Sequence, residues 1–226
     1  MNFENFKRML LAMLEGSITS LEVFALTLLF AIPLALPIAL GRMSKNKLLS
    51  GSVNVFLLII RGTPLMLQLL IVYFGRGLFV RWLESFGYTL AFRWDRFTAA
   101  IVALTINYAA YFAEIYRGGI SSIPKGQYEA AKVLGYKSNQ TFFRIVLPQV
   151  IKRIIPAMGN EVITLVKDTA LVSVIGVAEL LMVAKERQSA LFSFTPLFIA
   201  GVFYFVMNWG VSFCFNKIEK KLSYYS

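Results

Sequence analysis

The chain has 226 residues, 58% of them hydrophobic, a mean hydropathy of +0.66 and a formal net charge of +11. An ordinary soluble domain is about 45–50% apolar, so a water-soluble globule is excluded. Apolar runs of about 20 residues recur, each long enough to cross a hydrocarbon core of about 30 Å, and the chain reads as an all-α integral membrane protein.

The basic residues are scattered through the loops rather than gathered on one face. That distribution orients membrane spans and argues against a nucleic-acid partner. There is no histidine and one cysteine, Cys214. Histidine-based metal or acid–base chemistry and an intrachain disulfide are excluded with them. No GxxxxGK[ST] stretch occurs, so the chain has no ATP site of that type.

Residues 1–16 place Phe3, Phe6, Leu10, Met13 and Leu14 on one helix face, with Glu4, Lys7, Arg8 and Glu15 elsewhere. This pattern predicts an interfacial amphipathic helix, followed by a transmembrane domain over 17–217. A secretory signal is not expected, because the basic residues come late and no A-x-A site follows the apolar run. The first span is expected at about 17–40, bent by Pro33 and Pro37 one turn apart, with Glu22 snorkelling near its outer end.

The second span, about 51–74, is interrupted by Arg61-Gly62-Thr63-Pro64. Thr63 suits an N-cap and Pro64 the first position of a restarted helix. A restart at membrane depth aims free N–H groups and a positive dipole end at whatever lies there, which favours a carboxylate. A kink kept for packing, with Arg61 paired to a nearby acid, accounts equally well for the break. Residues 75–96 read as an external link.

The third span, about 97–116, carries Asn107 near its middle and a small-residue strip of Ala109, Ala110 and Ala113. Glu114 and Arg117, three apart, are expected to pair. A polar interval at 118–149 follows. In it Glu129, Ala130 and Ala131 open a short helix that Gly135 closes in a left-handed conformation. Ser138 or Asn139 caps a second short helix, which Pro148 ends for want of an N–H. Such a knob between spans suits docking against another protein.

The fourth span, about 150–167, holds Asn160 and Glu161. At 1.5 Å per residue Glu161 falls near mid-membrane, where it draws an amino acid's ammonium group or forms a salt bridge with Arg61 or Lys167. Lys167-Asp168-Thr169 reads as a break, with Lys167 and Asp168 forming a gate or pairing with each other. Residues 170–184 either continue the fourth helix or fold back as a short segment near the outer surface, and the break favours the fold-back. The fifth span, about 196–215, ends on Lys217, Lys220 and Lys221.

Three stretches in order carry a resemblance: "RGTPLMLQ" at Arg61–Gln68, Glu129-Ala130-Ala131 with Gly135 and Leu147-Pro148, and "GNEVITLVKDTAL" at Gly159–Leu171. The chain resembles permeases of ABC importers of the type I fold, in the histidine/glutamine-type branch that imports polar amino acids. The likeness covers about Ser17 to Asn216.

It implies five spans with cytoplasmic coupling helices between spans three and four. It also implies a second permease subunit, as homodimer or heterodimer, two ABC ATPase subunits that hold ATP and Mg, and an extracytoplasmic amino-acid-binding protein. This chain would bind no cofactor and would not itself be an enzyme. The ATPase-coupling residues implied are Glu129, Ala130, Ala131, Gly135, Leu147 and Pro148. The candidate substrate path is Arg61, Thr63, Pro64, Gln68, Asn107, Asn160, Glu161, Lys167 and Asp168.

With the coupling loop inside, thirteen basic residues face the cytoplasm and eight, among them Arg76, Arg81, Arg93 and Arg96, face outward. The bias places the N-terminus outside and the C-terminus in the cytoplasm of a cell-membrane protein. The rival reading, an ion-coupled secondary amino-acid carrier working alone, needs an internal repeat and an ion site. A membrane enzyme needs a nucleophile–base pair or metal constellation, and none is visible.

Overall fold

The structure, a computed structural model, describes residues 3–88 and 95–222, and all regular elements among them are helical. They are α1 (Phe3–Arg42), α2 (Lys47–Gly62), α3 (Leu65–Glu84), α4 (Arg96–Ser121), α5 (Lys125–Val133), α6 (Ser138–Thr141), α7 (Leu147–Asp168), α8 (Leu180–Leu191) and α9 (Thr195–Leu222). A π turn over Phe142–Val146 joins α6 to α7, and a 3₁₀ stretch over Thr169–Ile175 follows α7.

Polar side chains set several of these boundaries. Asn46 Oδ1 accepts from Leu48 N at 2.9 Å and opens α2. Asp95 Oδ1 accepts from Thr98 N at 2.8 Å and opens α4. Glu179, fully buried, accepts from Leu181 N and Met182 N at 2.8 Å each and opens α8. Its carboxylate also accepts from Tyr204 Oη on α9 at 2.6 Å and from Ser20 Oγ on α1 at 3.4 Å. One cap thus fastens three helices.

The core is built on α1 against α4. Val23, Thr27, Ala31, Ala35 and Ala39 recur every fourth residue and are fully buried. Val23 and the three alanines share a cluster with Ala99, Ala100, Ala103, Ala109, Ala110 and Ala113. Small side chains let two backbones approach closely where lipid supplies no hydrophobic push between helices. Gly119 serves the same end at α4's far turn, where a Cβ would overlap Ile154 of α7.

Several expectations are corrected. No break at Gly16 separates an interfacial helix from the first span, since α1 is continuous from Phe3. Its N-terminal face is covered by protein: Met9 and Met13 are buried against Leu180, Ala184 and Ala200, and Gly16 lies against the Leu180 backbone. Much of the expected 75–96 link is helix, with Arg76 and Arg81 on α3. Arg93 and the rest of 89–94, like Met1 and Asn2, lie outside the described residues.

Pro148 does not end the second loop helix. The preceding π turn re-registers the backbone hydrogen bonds, Pro148 sits in the first turn of α7 where no N–H is needed, and helical structure runs from Ser138 to Asp168. Lys137 precedes α6 as its cap, in place of Ser138 or Asn139; its backbone N donates to Gln140 Oε1 at 2.9 Å. The expected break at Lys167-Asp168-Thr169 is a tightening rather than an interruption, because α7 passes directly into the 3₁₀ stretch. The 3₁₀ stretch ends at Gly176, whose φ of 80° turns the chain toward Glu179.

Among the described residues α1, α3, α4 and α9 are long and apolar enough to cross a membrane. The second expected span is divided between α2 and α3, and the 22-residue α7 is not in that group. The outer face of α9 presents Phe198, Phe205 and Trp209, all largely exposed.

Candidate functional site

The break between α2 and α3 is held open by side chains. Thr63 stands at the C-cap of α2 and Pro64 at the N-cap of α3, one position earlier than each was expected. Thr63 therefore turns back, its hydroxyl donating to Ile59 O at 2.9 Å. Gln68 Nε2 reaches across the gap to Ile60 O at 2.7 Å, Thr63 Oγ1 at 2.9 Å and Thr63 O at 3.1 Å. It thereby satisfies carbonyls that the interruption strips of helical partners. Asn107 Nδ2 of α4 donates to Gln68 Oε1 at 3.0 Å, so two buried amides lock the broken helix to its neighbour.

Beside this lock lies a cavity of about 170 Å³, lined by Thr63, Leu65, Asn107, Tyr108, Tyr111, Glu161, Thr164 and Asp168. Glu161, Thr164 and Asp168 are three and then four residues apart, hence on one face of α7. Tyr108 Oη donates to Asp168 Oδ2 at 2.7 Å. Thr164 donates to Asn160 O at 2.9 Å, leaving its oxygen as an acceptor. Among the described residues no side chain bonds to the Glu161 carboxylate. The wall thus offers two carboxylates, two aromatic faces and no cation, a lining that accepts a positively charged group.

Of the candidate path residues, Thr63, Asn107, Glu161 and Asp168 meet in this cavity and Gln68 braces it. Arg61, Pro64, Asn160 and Lys167 do not line it. Arg61 instead lies over the Tyr111 ring at 5.3 Å, with NH1 3.9 Å from Glu114 Oε2. Neither expected salt bridge of Glu161 forms, and Asp168 bonds Tyr108 rather than Lys167. Sequence reasoning missed Leu65, Tyr108, Tyr111 and Thr164. The signal was a polar edge on α4, since Asn107, Tyr108 and Tyr111 project to one side.

At the other end of the molecule, α5 closes on Gly135 with φ of 79°. Gly135 N donates to Lys132 O and Tyr136 N to Ala131 O, both at 3.0 Å, the paired closure that a left-handed residue permits. Glu129 and Ala130 are exposed and Ala131 is buried. Exposed around them are Val133 at 88%, Leu134 at 73% and Phe143 at 64%, with Tyr128 and Tyr136 more partly so. Leu147 is half-buried and Pro148 exposed.

Known proteins resemble this chain in sequence and in fold. The arginine transport system permease protein ArtQ of Bacillus subtilis (strain 168) is 37% identical over 92% of this chain and 91% of its own length. The nopaline transport system permease protein NocM of Agrobacterium fabrum is 40% identical over 86% of this chain and 80% of its own. The crystal structure of an amino acid ABC transporter with histidines superposes with a TM-score of 0.82 at 36% identity, covering 98% of this chain and 99% of that one. The inward-facing MetNI methionine ABC transporter shares the fold at a TM-score of 0.70 and 18% identity. Residues 31–224 match the family described as binding-protein-dependent transport system inner membrane component, and the chain belongs to that family.

Proposed function

We propose that this chain is the permease subunit of an ATP-driven amino-acid importer, and that the cavity between the α2–α3 break, α4 and α7 is where the amino acid passes. The carrying observation is the pair of carboxylates, Glu161 and Asp168, on one wall of a cavity whose lining includes no basic side chain. An α-ammonium group answers one carboxylate and a cationic side chain the other, so cationic amino acids fit best. The likeness to an arginine permease and to a transporter crystallised with histidines supports that reading. Nothing among the relatives favours the ion-coupled carrier.

The chain is a transport subunit and holds no ATP itself; ATP and Mg belong to partner ABC ATPase subunits. A second permease subunit completes the path, and an extracytoplasmic binding protein delivers the solute. The crossing helices are α1, α2 with α3 as one interrupted crossing, α4, α7 and α9, with the N-terminus outside and the C-terminus in the cytoplasm. In this scheme α7 carries its polar load because it faces the path.

The exposed Val133, Leu134, Tyr136 and Phe143 form an apolar docking surface for the ATPase, with Glu129 fixing register through a charge-assisted hydrogen bond. Ala130 and Ala131 allow close approach, Gly135 shapes the corner, and Leu147 and Pro148 join it to α7. The test is uptake by the complex in proteoliposomes with ATPase and binding protein present. Glu161→Gln should raise KM for a cationic amino acid about tenfold or more while leaving assembly intact; unaltered uptake kinetics in that variant reject the cavity as the path.

A further inference from the structure

Three guanidinium groups and one carboxylate meet where α1, α2 and α4 come together. Arg117 donates to Glu114 Oε2 from NH2 at 2.8 Å and from Nε at 3.0 Å, so that pair is complete. Arg42 Nε and Arg61 NH1 stand 4.0 and 3.9 Å from the same carboxylate, beyond hydrogen-bond reach. Arg42 Nε is buried without any partner. Both groups border a cavity of about 320 Å³, whose other walls are Asn54, Leu57, Leu58, Gly62 and Glu114. Arg42 NH1 donates to Ser50 Oγ at 3.5 Å and Arg61 lies over the Tyr111 ring, so the cluster keeps two positive charges that the single carboxylate does not answer.

We infer that this cavity is a binding site for a phosphate group, held between the Arg42 and Arg61 forks. The guanidinium geometry matches phosphate oxygens, and a cavity walled by two positive charges that Glu114 does not answer favours an anion. Position narrows the source. Arg42 is the last residue of α1 and Arg117 stands one turn before the end of α4, so these two helices bring the cluster to one of their ends, where a lipid headgroup can reach it. Leu58 beside it is 65% exposed and offers an apolar track for an acyl chain. The phosphate comes from an acidic phospholipid or from free inorganic phosphate, and the experiment separates the two.

The complex of this chain with its ATPase is placed in nanodiscs of phosphatidylcholine with and without phosphatidylglycerol, and retained lipid is counted by native mass spectrometry. Arg42→Gln and Arg61→Gln should each lower phosphatidylglycerol retention about tenfold, as expected for the loss of one charge-assisted contact. Glu114→Gln should raise it, because Arg117 joins the donors when its carboxylate is gone. A purely structural role for Glu114 gives the opposite sign.

In phosphatidylcholine alone, inorganic phosphate is titrated against thermal stability. Stabilisation that Arg61→Gln abolishes identifies free phosphate as the ligand; retention of phosphatidylglycerol alone identifies the lipid. Where a Gln variant fails to fold, Arg42→Lys and Arg61→Lys keep the charge and should bind weakly. Retention and stabilisation that ignore Arg42 and Arg61, or a fall in both with Glu114→Gln, overturn the inference.

Discussion

Tyr108 Oη and Asp168 Oδ2 are joined at 2.7 Å across sixty residues of chain, and the bond pins the end of α7 to the middle of α4. It fixes one of the cavity's carboxylates while Glu161, two turns earlier on the same face of α7, is left without a side-chain donor among the described residues. Removing the hydroxyl with Tyr108→Phe keeps the ring and frees Asp168. A hydrogen bond to a charged group contributes about 1.5–3 kcal/mol, so uptake should fall about tenfold or more. The measurement is initial uptake rate in proteoliposomes, with subunit assembly checked by size-exclusion chromatography and expected to be unchanged.

Glu161→Gln replaces a charge by an amide of nearly the same shape. Its effect should be concentrated in KM for a cationic amino acid, rising about tenfold or more, because a charge-assisted contact in the path is lost. Combined with Asp168→Asn the losses should not add, since the two carboxylates line one small cavity. Concentration series of uptake for single and double variants decide this.

Gln68→Leu keeps the volume of a buried side chain and removes the donor that bridges the helix break. The Ile60 and Thr63 carbonyls and the Asn107 amide then lose their partner, at about 1–3 kcal/mol for each buried group left unsatisfied. The expected outcome is a lowered Tm in detergent, together with reduced uptake by the protein that remains folded.

Nothing lies within 4 Å of where a Cβ on Gly135 would stand, so Gly135→Val does not clash with neighbours. Its cost is the positive φ of 79°, about 1–2 kcal/mol for an ordinary residue. The corner after α5 should deform, and ATP hydrolysis should lose its response to amino acid while the transporter still assembles. Gly135→Asn, which tolerates that backbone region better, should retain most of the response in an ATPase assay.

Gly119→Ala drives a methyl into Ile154 and should destabilise the α4–α7 contact by about 1–3 kcal/mol, read as a fall in Tm. The offending atom is the Cγ2 branch. Ile154→Leu removes that branch at nearly equal volume and should restore much of the loss in the double variant.

The membrane class, the break at Gly62 and the Gly135 corner were legible because each depends on local chemistry: apolar run length, a proline, a glycine with positive φ. Gly16 and Pro148 misled for opposite reasons. Gly16 looked like an end but is a close-packing point for the Leu180 backbone. Pro148 looked like a stop but follows a π turn that spares the need for its missing N–H. Long-range partners were the hidden part. Nothing near Arg61 in the sequence points to Glu114, fifty-three positions on. Likewise the Tyr108 hydroxyl acquires its meaning only when α7 brings Asp168 to it. Half of the cavity was found through Thr63, Asn107, Glu161 and Asp168, because polar residues within apolar spans stand out; Tyr108 and Tyr111 passed as ordinary aromatic packing.

Helical structure without an intervening loop from Ser138 to Asp168 makes a shaft of 31 residues, about 46 Å at 1.5 Å each. Its near end abuts the docking knob and its far end forms a wall of the cavity. Such a shaft has almost no slack, so a stroke delivered at one end arrives at the other with little delay. If the knob docks the ATPase as proposed, its displacement and the reshaping of the cavity should coincide, with no interval in turnover in which one has moved and the other has not.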